Sequence, residues 1–425
     1  MNREKKRLIF TVATIVIVIA ITLILGALAR GYRFDFKKKK LRATGLLAAT
    51  STPDGASVWI NGKLKTATDQ TISLSPGEYE VEIKKPGYST WKKKITIYKE
   101  LVVLTNAYLF PLAPDLKAIT FTQALKPQIS PDGSKVVYLT QREIISSSPS
   151  PSPPPVATPS SSAKQQQTVI EILELGEKPF GNLNKPKLLA KIPSLPSEAV
   201  TFTWSPDSRQ ILLSFTTRRG ENKLLLEINK TYDFTQPPLL SLTEKEEKAI
   251  VAAWQKEKDK EKKSQEEKIP IPLEKTLKEN CQKISFSPDE TKILYQAQKE
   301  VSLPEKIISK KVIALSSQKE TRHLTPGNWY VFDIKEDKNF LVLSSQDKNT
   351  PEIRWFPTSA HLILIYPKEK IDIIEYDGTN QTTVYKGPFE DYFAYPFPSG
   401  KKLLILTSLG GKNESASHFY AVSLQ

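Results

Sequence analysis

Cysteine and methionine each occur once in the 425 residues, and histidine three times. The lone Cys281 excludes an intrachain disulfide framework and a cysteine-rich zinc site. Beside the strand-like Ile284 and Phe286 it is expected as a buried, inert thiol. His323, His361 and His418 lie far apart, and none has the His-x-x-x-His spacing of a metal pair. A Gly-x-Ser-x-Gly elbow is missing, so a serine hydrolase finds no support. Gly410-Gly411-Lys412 lacks the upstream spacing and the following helix of a phosphate loop. The expectation is a chain without cofactor, metal or catalytic residues.

What is abundant is positive charge, at +15. Its distribution argues against nucleic acid. Residues 1–42 hold 11 basic and 2 acidic side chains, which is +9 of the total. These residues flank an apolar run, where they belong to a membrane surface.

That run, Leu8 to Ala29, carries no charge. Roughly 20 apolar residues cross a bilayer core as a helix. An uncleaved transmembrane helix over 8–29 is expected, behind a short inside tail of residues 1–7. The competing expectation is a signal peptide cut near Ala29, for which Arg3–Arg7 and Ala27-Leu28-Ala29 speak. Lysine and arginine are more numerous after the helix, in the basic juxtamembrane segment 30–42, than before it. Long domains often translocate regardless of that count, so the bulk of the chain is expected outside.

Residues 43–112 read as a small β-sandwich. Asn61-Gly62 between Val58-Trp59-Ile60 and the next apolar stretch is a hairpin signal, because both residues tolerate positive φ. Tyr79-Glu80-Val81-Glu82-Ile83 alternates strictly, as a half-buried strand does. Pro53-Asp54-Gly55-Ala56, Asn61-Gly62, Pro76-Gly77-Glu78-Tyr79 and Pro86-Gly87-Tyr88 resemble the PEGA domain. Asp54 stands where that family usually has Glu. Lys65-Thr66-Ala67-Thr68 departs from its Gly-x-Thr-Pro turn. The resemblance implies a non-catalytic surface module of the kind found beside membrane anchors and propellers.

From about Leu116 a Ser-Pro-Asp turn recurs. It reads Ser130-Pro131-Asp132, Ser205-Pro206-Asp207 and Ser287-Pro288-Asp289, each leading into an apolar strand. Phe356-Pro357-Thr358-Ser359 and Phe397-Pro398-Ser399-Gly400 are degenerate copies. Repeated strand–turn–strand units mark a propeller. Proline presets φ at the first turn position, and aspartate bonds its own backbone. These residues resemble the TolB-like β-propellers, and the resemblance implies that the motif is structural. The fold class is therefore mainly β: an N-terminal transmembrane helix, a PEGA-like β-sandwich, and a propeller of five to seven blades over 113–425.

Two insertions interrupt the units. Residues 146–167 are Ser/Pro/Gln-rich and expected to be disordered, at the tip of a long hairpin between Val136–Ile145 and Thr168–Leu175. Residues 243–268 read as a helix: Thr243 and Glu246 make a capping box, and Ile269-Pro270-Ile271-Pro272 ends it. Tyr330–Asp333 and Phe340–Leu343 lack the motif and read as a further, degenerate blade. Ile250 and Trp254 on the inserted helix are candidates for partner contact, against the plainer expectation that they pack on the propeller.

The function expected is non-enzymatic binding or scaffolding at the cell envelope, with an envelope protein or glycan as partner. Membrane lipid is engaged through residues 8–29 and their basic flank. The alternative is a propeller-containing enzyme or accessory subunit, peptidase-like. A nucleophile–base pair or a metal in the central channel would favour it.

Overall fold

The computed structural model describes residues 3–29, 32–35, 40–144, 165–177, 183–218, 220–236, 241–308, 318–345, 350–390, 392–409 and 416–425. Of the Ser/Pro/Gln-rich insertion, residues 146–164 lie outside these. Its expected end at Gln167 is corrected, because Gln165 already pairs with Ile144. Two long strands, Lys135–Ile144 and Gln165–Glu174, thus form the expected hairpin.

The N-terminal helix α1 spans Arg3–Ala29. Within it Ile9–Gly26 has a mean hydropathy of 2.8 and is long and apolar enough to cross a membrane, a test that signal sequences also pass. The segment after it does not remain a plain linker. Tyr32–Asp35 and Lys40–Ala43 pair antiparallel, so the chain folds back on itself.

Two sheets make the next unit. One has the strand order Lys63–Ala67, Ser57–Ile60, Gly77–Lys84, Trp91–Ile97; the other has Val102–Leu104, Gly45–Ala49, Gln70–Leu74. Val58, Val81, Ile83 and Leu47 are buried between them, with Trp91 and Ile97. The alternation read at 79–83 is the alternation of burial. Asn61 and Gly62 both take positive φ, 49° and 73°, as the hairpin requires. At the Pro53-Asp54-Gly55-Ala56 turn Gly55 has φ 68°. Ala56 is buried there, and its N–H donates to the Thr68 hydroxyl at 2.9 Å.

Apart from two small sheets, Ser51–Thr52 with Ala107–Tyr108 and Val301–Ser302 with His323–Leu324, the remaining strands form five blades among the described residues. The first is Leu125–Ile129, Lys135–Ile144, Gln165–Glu174 and Lys187–Lys191, with Tyr232–Asp233 added in parallel at its edge. The second is Val200–Trp204, Gln210–Thr217 and Gly220–Glu227. The third is Cys281–Phe286, Lys292–Ala297, Trp329–Asp333 and Lys338–Leu343. Tyr330–Asp333 and Phe340–Leu343 are therefore not a blade of their own. They are the outer strands of the third, because a connection of some thirty residues separates them from its inner pair. The fourth is Glu352–Trp355, His361–Tyr366, Lys370–Glu375 and Thr382–Lys386. The fifth is Ala394–Pro396, Lys402–Thr407 and His418–Ser423, completed by Leu116–Ala118 from the other end of the ring.

Apolar layers hold neighbouring blades together. Val137 and Leu139 meet Phe202 and Leu213 between the first and second blades. Leu294 and Val331 meet Leu362 and Leu364 between the third and fourth. Val136 and Tyr138 meet Leu404 and Phe419 across the closure. Strands covered on both faces read as near-continuous apolar runs, which is why Leu362–Tyr366 and Leu403–Leu406 lack alternation.

The inserted helix α2 runs Glu244–Glu266, and its capping box with Thr243 and Glu246 is formed. Ile-Pro-Ile-Pro ends it, but also opens a second helix, α3, Ile271–Asn280. Proline in a first helical turn costs no hydrogen bond. Leu273 and Leu277 of α3 are buried against Ile293 and Tyr295 of the third blade.

Candidate functional site: the axial channel and the domain seam

All five motif turns share one backbone. The N–H of the fourth residue donates to the carbonyl of the first: Gly133 to Ser130, Ser208 to Ser205, Glu290 to Ser287, Ser359 to Phe356 and Gly400 to Phe397, at 2.7–3.0 Å. The fourth residue always has positive φ, between 54° and 70°. In the three full copies the first serine hydroxyl donates to the aspartate, at 2.5 Å for Asp132, 2.6 Å for Asp207 and 2.7 Å for Asp289. Partial burial pushes the Asp132 carboxyl up, but bonds from Ser130 and Ser134 outweigh it and bring its pKa down to about 2. The same balance, with bonds from Ser287 and Thr291, lowers Asp289. All three carboxylates hold turns together, and those of Asp132 and Asp289 stay ionised.

The turns also clasp one another, in a way the sequence reading missed. The Asp132 N–H donates to the Ser208 hydroxyl of the next blade at 3.1 Å. The Asp289 N–H donates to Ser359 at 3.0 Å. In both pairs the tryptophan before the second turn donates back across the joint: Trp204 to the Gln128 carbonyl at 3.4 Å, and Trp355 to that of Ser285 at 3.2 Å. Trp204 and Trp355 stand in register before their turns, and that is the signal that could have revealed the clasp.

Converging turns make the mouth of an axial channel. A cavity of about 440 Å³ is lined by Pro131, Asp132, Pro288, Pro357 and Pro398, together with Trp355 and Tyr395. Pro206, Asp207 and Asp289 do not line it. A second cavity, about 530 Å³, is lined by Leu125, Lys126, Tyr392 and Phe393. Those residues begin the innermost strands whose far ends carry the turns, so this is the channel's opposite end. Arg354 and Tyr395 line both cavities. The Arg354 guanidinium lies 4.1 Å from the Tyr395 ring centre. It donates to Glu352 at 2.7 Å and to the carbonyls of Ala394 and Tyr392 at 3.0 and 3.2 Å. Ser417 donates to Glu390 at 2.6 Å in the second cavity. His418 makes its bond elsewhere, to the Thr122 carbonyl. No group of three metal-ligating side chains occurs among the described residues.

On the face that carries the turns, the sandwich is locked to the fourth blade. Trp91 donates its indole N–H to Glu375 at 2.5 Å. Lys93 pairs with Glu375 and, at 2.6 Å, with Asp377. Burial favours the neutral amine of Lys93, but the two carboxylates outweigh it and raise its pKa. Burial, and then the charge of Asp377, raise Glu375 against the pull of Lys93. Tyr108 donates to the Gly400 carbonyl at 3.0 Å and accepts from Gln425 at 2.6 Å. Phe110 packs edge-on to Phe356 and His361. His361 is buried, and desolvation, with Lys93 adding, lowers its pKa to about 3.

Trp254 turns inward at 9 % exposure, with Ile250 half-buried, and Val251 is left outside. Of the two candidates for partner contact, Trp254 is thus covered within the chain itself and Ile250 partly so. Cys281 is buried, and burial raises its thiol to about 11.

Residues 44–111 match the family model of the PEGA domain. No curated protein matches the chain. Among solved structures, TolB from Acinetobacter baumannii is 10 % identical, with 82 % of this chain covering 60 % of that one at a TM-score of 0.22. Oligogalacturonate lyase from Vibrio parahaemolyticus is 8 % identical, with 92 % covering 96 % at 0.21. Acylaminoacyl peptidase from Pyrococcus horikoshii is 11 % identical, with 72 % covering 39 % at 0.19. At such scores these likenesses carry no argument about activity; the propeller rests on its own sheet topology.

Proposed function

We propose that the chain is a membrane-anchored, non-enzymatic binding or scaffolding protein of the cell envelope. In this reading α1 anchors it, the PEGA domain and propeller lie outside the membrane, and an envelope protein segment enters the axial vestibules. The observation that carries the reading is the lining of those vestibules. Proline and aromatic side chains dominate the first, the second sets Tyr392, Phe393 and Tyr395 beside Lys126, Glu390 and Ser417, and the guanidinium between the two cavities already has its bonds within the chain. Such walls supply contact area and shape. The PEGA domain supports the reading by occupying part of the turn face without lining either cavity.

The test is photocrosslinking in cells, with a benzophenone side chain in place of Tyr392 in the second cavity and in place of Lys258 on α2. Discrete adducts from 392 and none from 258 are expected. Equal labelling at both positions, or none at 392, would refute the binding role. For orientation, a Cys281→Ser chain carrying Lys258→Cys is expected to react with a membrane-impermeant maleimide on intact cells. Reaction only after lysis would place the propeller inside.

A further inference from the structure

The segment after α1 is long in sequence and short in space. Fully extended, residues 30–44 would reach roughly 50 Å at about 3.3–3.6 Å each. The antiparallel pairing sets Tyr32 opposite Ala43, and paired Cα atoms lie only about 5 Å apart. What separates the helix end at Ala29 from Gly45 is then two short stretches and one strand spacing, about 20 Å in all. The fold-back turns a long leash into a short one.

The place where the short leash enters the PEGA domain is tightly specified. Gly45 has no room for a side chain: a Cβ there would stand 2.1 Å from the Tyr98 carbonyl. The loop that crowds it is tied to the entering strand on both sides. Leu46 donates to the Leu101 carbonyl at 2.9 Å, and Glu100 to that of Thr44 at 3.0 Å. This loop and the strand that follows it expose apolar groups: Tyr98 at 36 %, Val102 at 51 % and Leu104 at 52 %. Val102 and Leu104 stand beside Leu46 and Ala48 on the outer face of the sheet, of which Val102–Leu104 is an edge strand. Lys99 is exposed among them.

We infer that this rim of the PEGA domain, Tyr98 to Leu104, rests on the phospholipid headgroup layer. The inference rests on α1 being a membrane anchor, as proposed above. A tyrosine, a lysine and aliphatic side chains are the types that settle at a membrane interface, ring at headgroup level and ammonium in the water. The sequence adds seven basic and one acidic residue over 30–42, next to the same entry point. Such a segment is drawn to anionic leaflets. With the rim seated on lipid and the seam rigid, the propeller is held at a set height and tilt above the bilayer.

The test uses the full chain with Cys281→Ser, reconstituted in phosphatidylcholine–phosphatidylglycerol vesicles that include a nitroxide-headgroup lipid. A bimane label is attached at Tyr98→Cys or, as control, at Lys258→Cys. Loss of emission at 98, none at 258, and recovery at 98 on adding Val102→Asp with Leu104→Asp are the expected results. Chain that floats with vesicles but shows no quenching at 98 overturns this inference alone. So does quenching that the aspartates leave unchanged. Chain that fails to float overturns the anchor reading as well.

Discussion

Replacing Lys93 by methionine removes the cation that, alone among the described residues, pairs with both Glu375 and Asp377. Both carboxylates are nearly buried, and so is the lysine. Methionine keeps much of the side-chain volume, so what changes is charge. Two anions are left in a desolvated seam without a counter-ion. Losing one partner of a buried pair costs about 3–5 kcal/mol, a large part of the roughly 5–15 kcal/mol by which a domain is stable. The loss falls on the joint and not on either core, since all three charges lie between the sandwich and the fourth blade. Urea unfolding of the full chain in detergent, followed by tryptophan fluorescence, is therefore expected to split into two transitions. The triple variant Lys93→Met, Glu375→Gln, Asp377→Asn removes all three charges of this cluster and should recover most of the loss. A single-variant cost below about 1 kcal/mol, the range of an exposed pair, would refute the reasoning. So would a triple variant no better than the single.

Two further outcomes follow from the same geometry. His361 titrates near 6.5 when unfolded and near 3 when folded, so below 6.5 the unfolded chain takes the proton first. Its share of stability is full above pH 6.5 and falls by about 1.4 kcal/mol per unit as pH drops toward 3; His361→Gln should flatten that slope in denaturant titrations, and an unchanged slope would count against it. Ser208→Ala and Ser359→Ala each strand an aspartate N–H at a blade joint and should cost about 1–2 kcal/mol, whereas exposed Ser399→Ala in the fifth turn should cost little; equal losses in all three by calorimetry would dismiss the clasp.

What could be read in advance was local. The capping box at Thr243 and Glu246, the Asn61-Gly62 hairpin and the Ser-Pro-Asp turns each declare themselves within a few residues, because turn and cap chemistry is short-range. The end of α1 at Ala29 follows from a single uncharged run, but its start does not, since the helix continues back through the charged residues to Arg3. The seam did not declare itself. Lys93 and Asp377 are 284 residues apart, and nothing near either marks it as one half of a pair. Arg354 and Tyr395 come together only because two innermost strands run side by side along the axis. The blade membership of Tyr330–Asp333 was missed for a related reason: motif spacing counts turns, and a long connection inside a blade looks like a gap between blades. The second helix was missed because proline was read as a stop, when two residues into a helix it is equally a start.

The strand Leu116–Ala118 pairs with His418–Ser423, so the fifth blade joins residues from both ends of the ring. During synthesis this imposes a schedule. The PEGA core is complete once about residue 109 has emerged, and local sheets such as the first blade can form soon after. Leu116–Ala118 must wait, its edge unpaired, through some three hundred residues of further translation. An exposed strand edge is a template for mispairing with other chains, and pairings so distant in sequence form slowly. The chain is most exposed to aggregation in the interval before its last strand arrives, and a holding factor, if one is needed, is needed then.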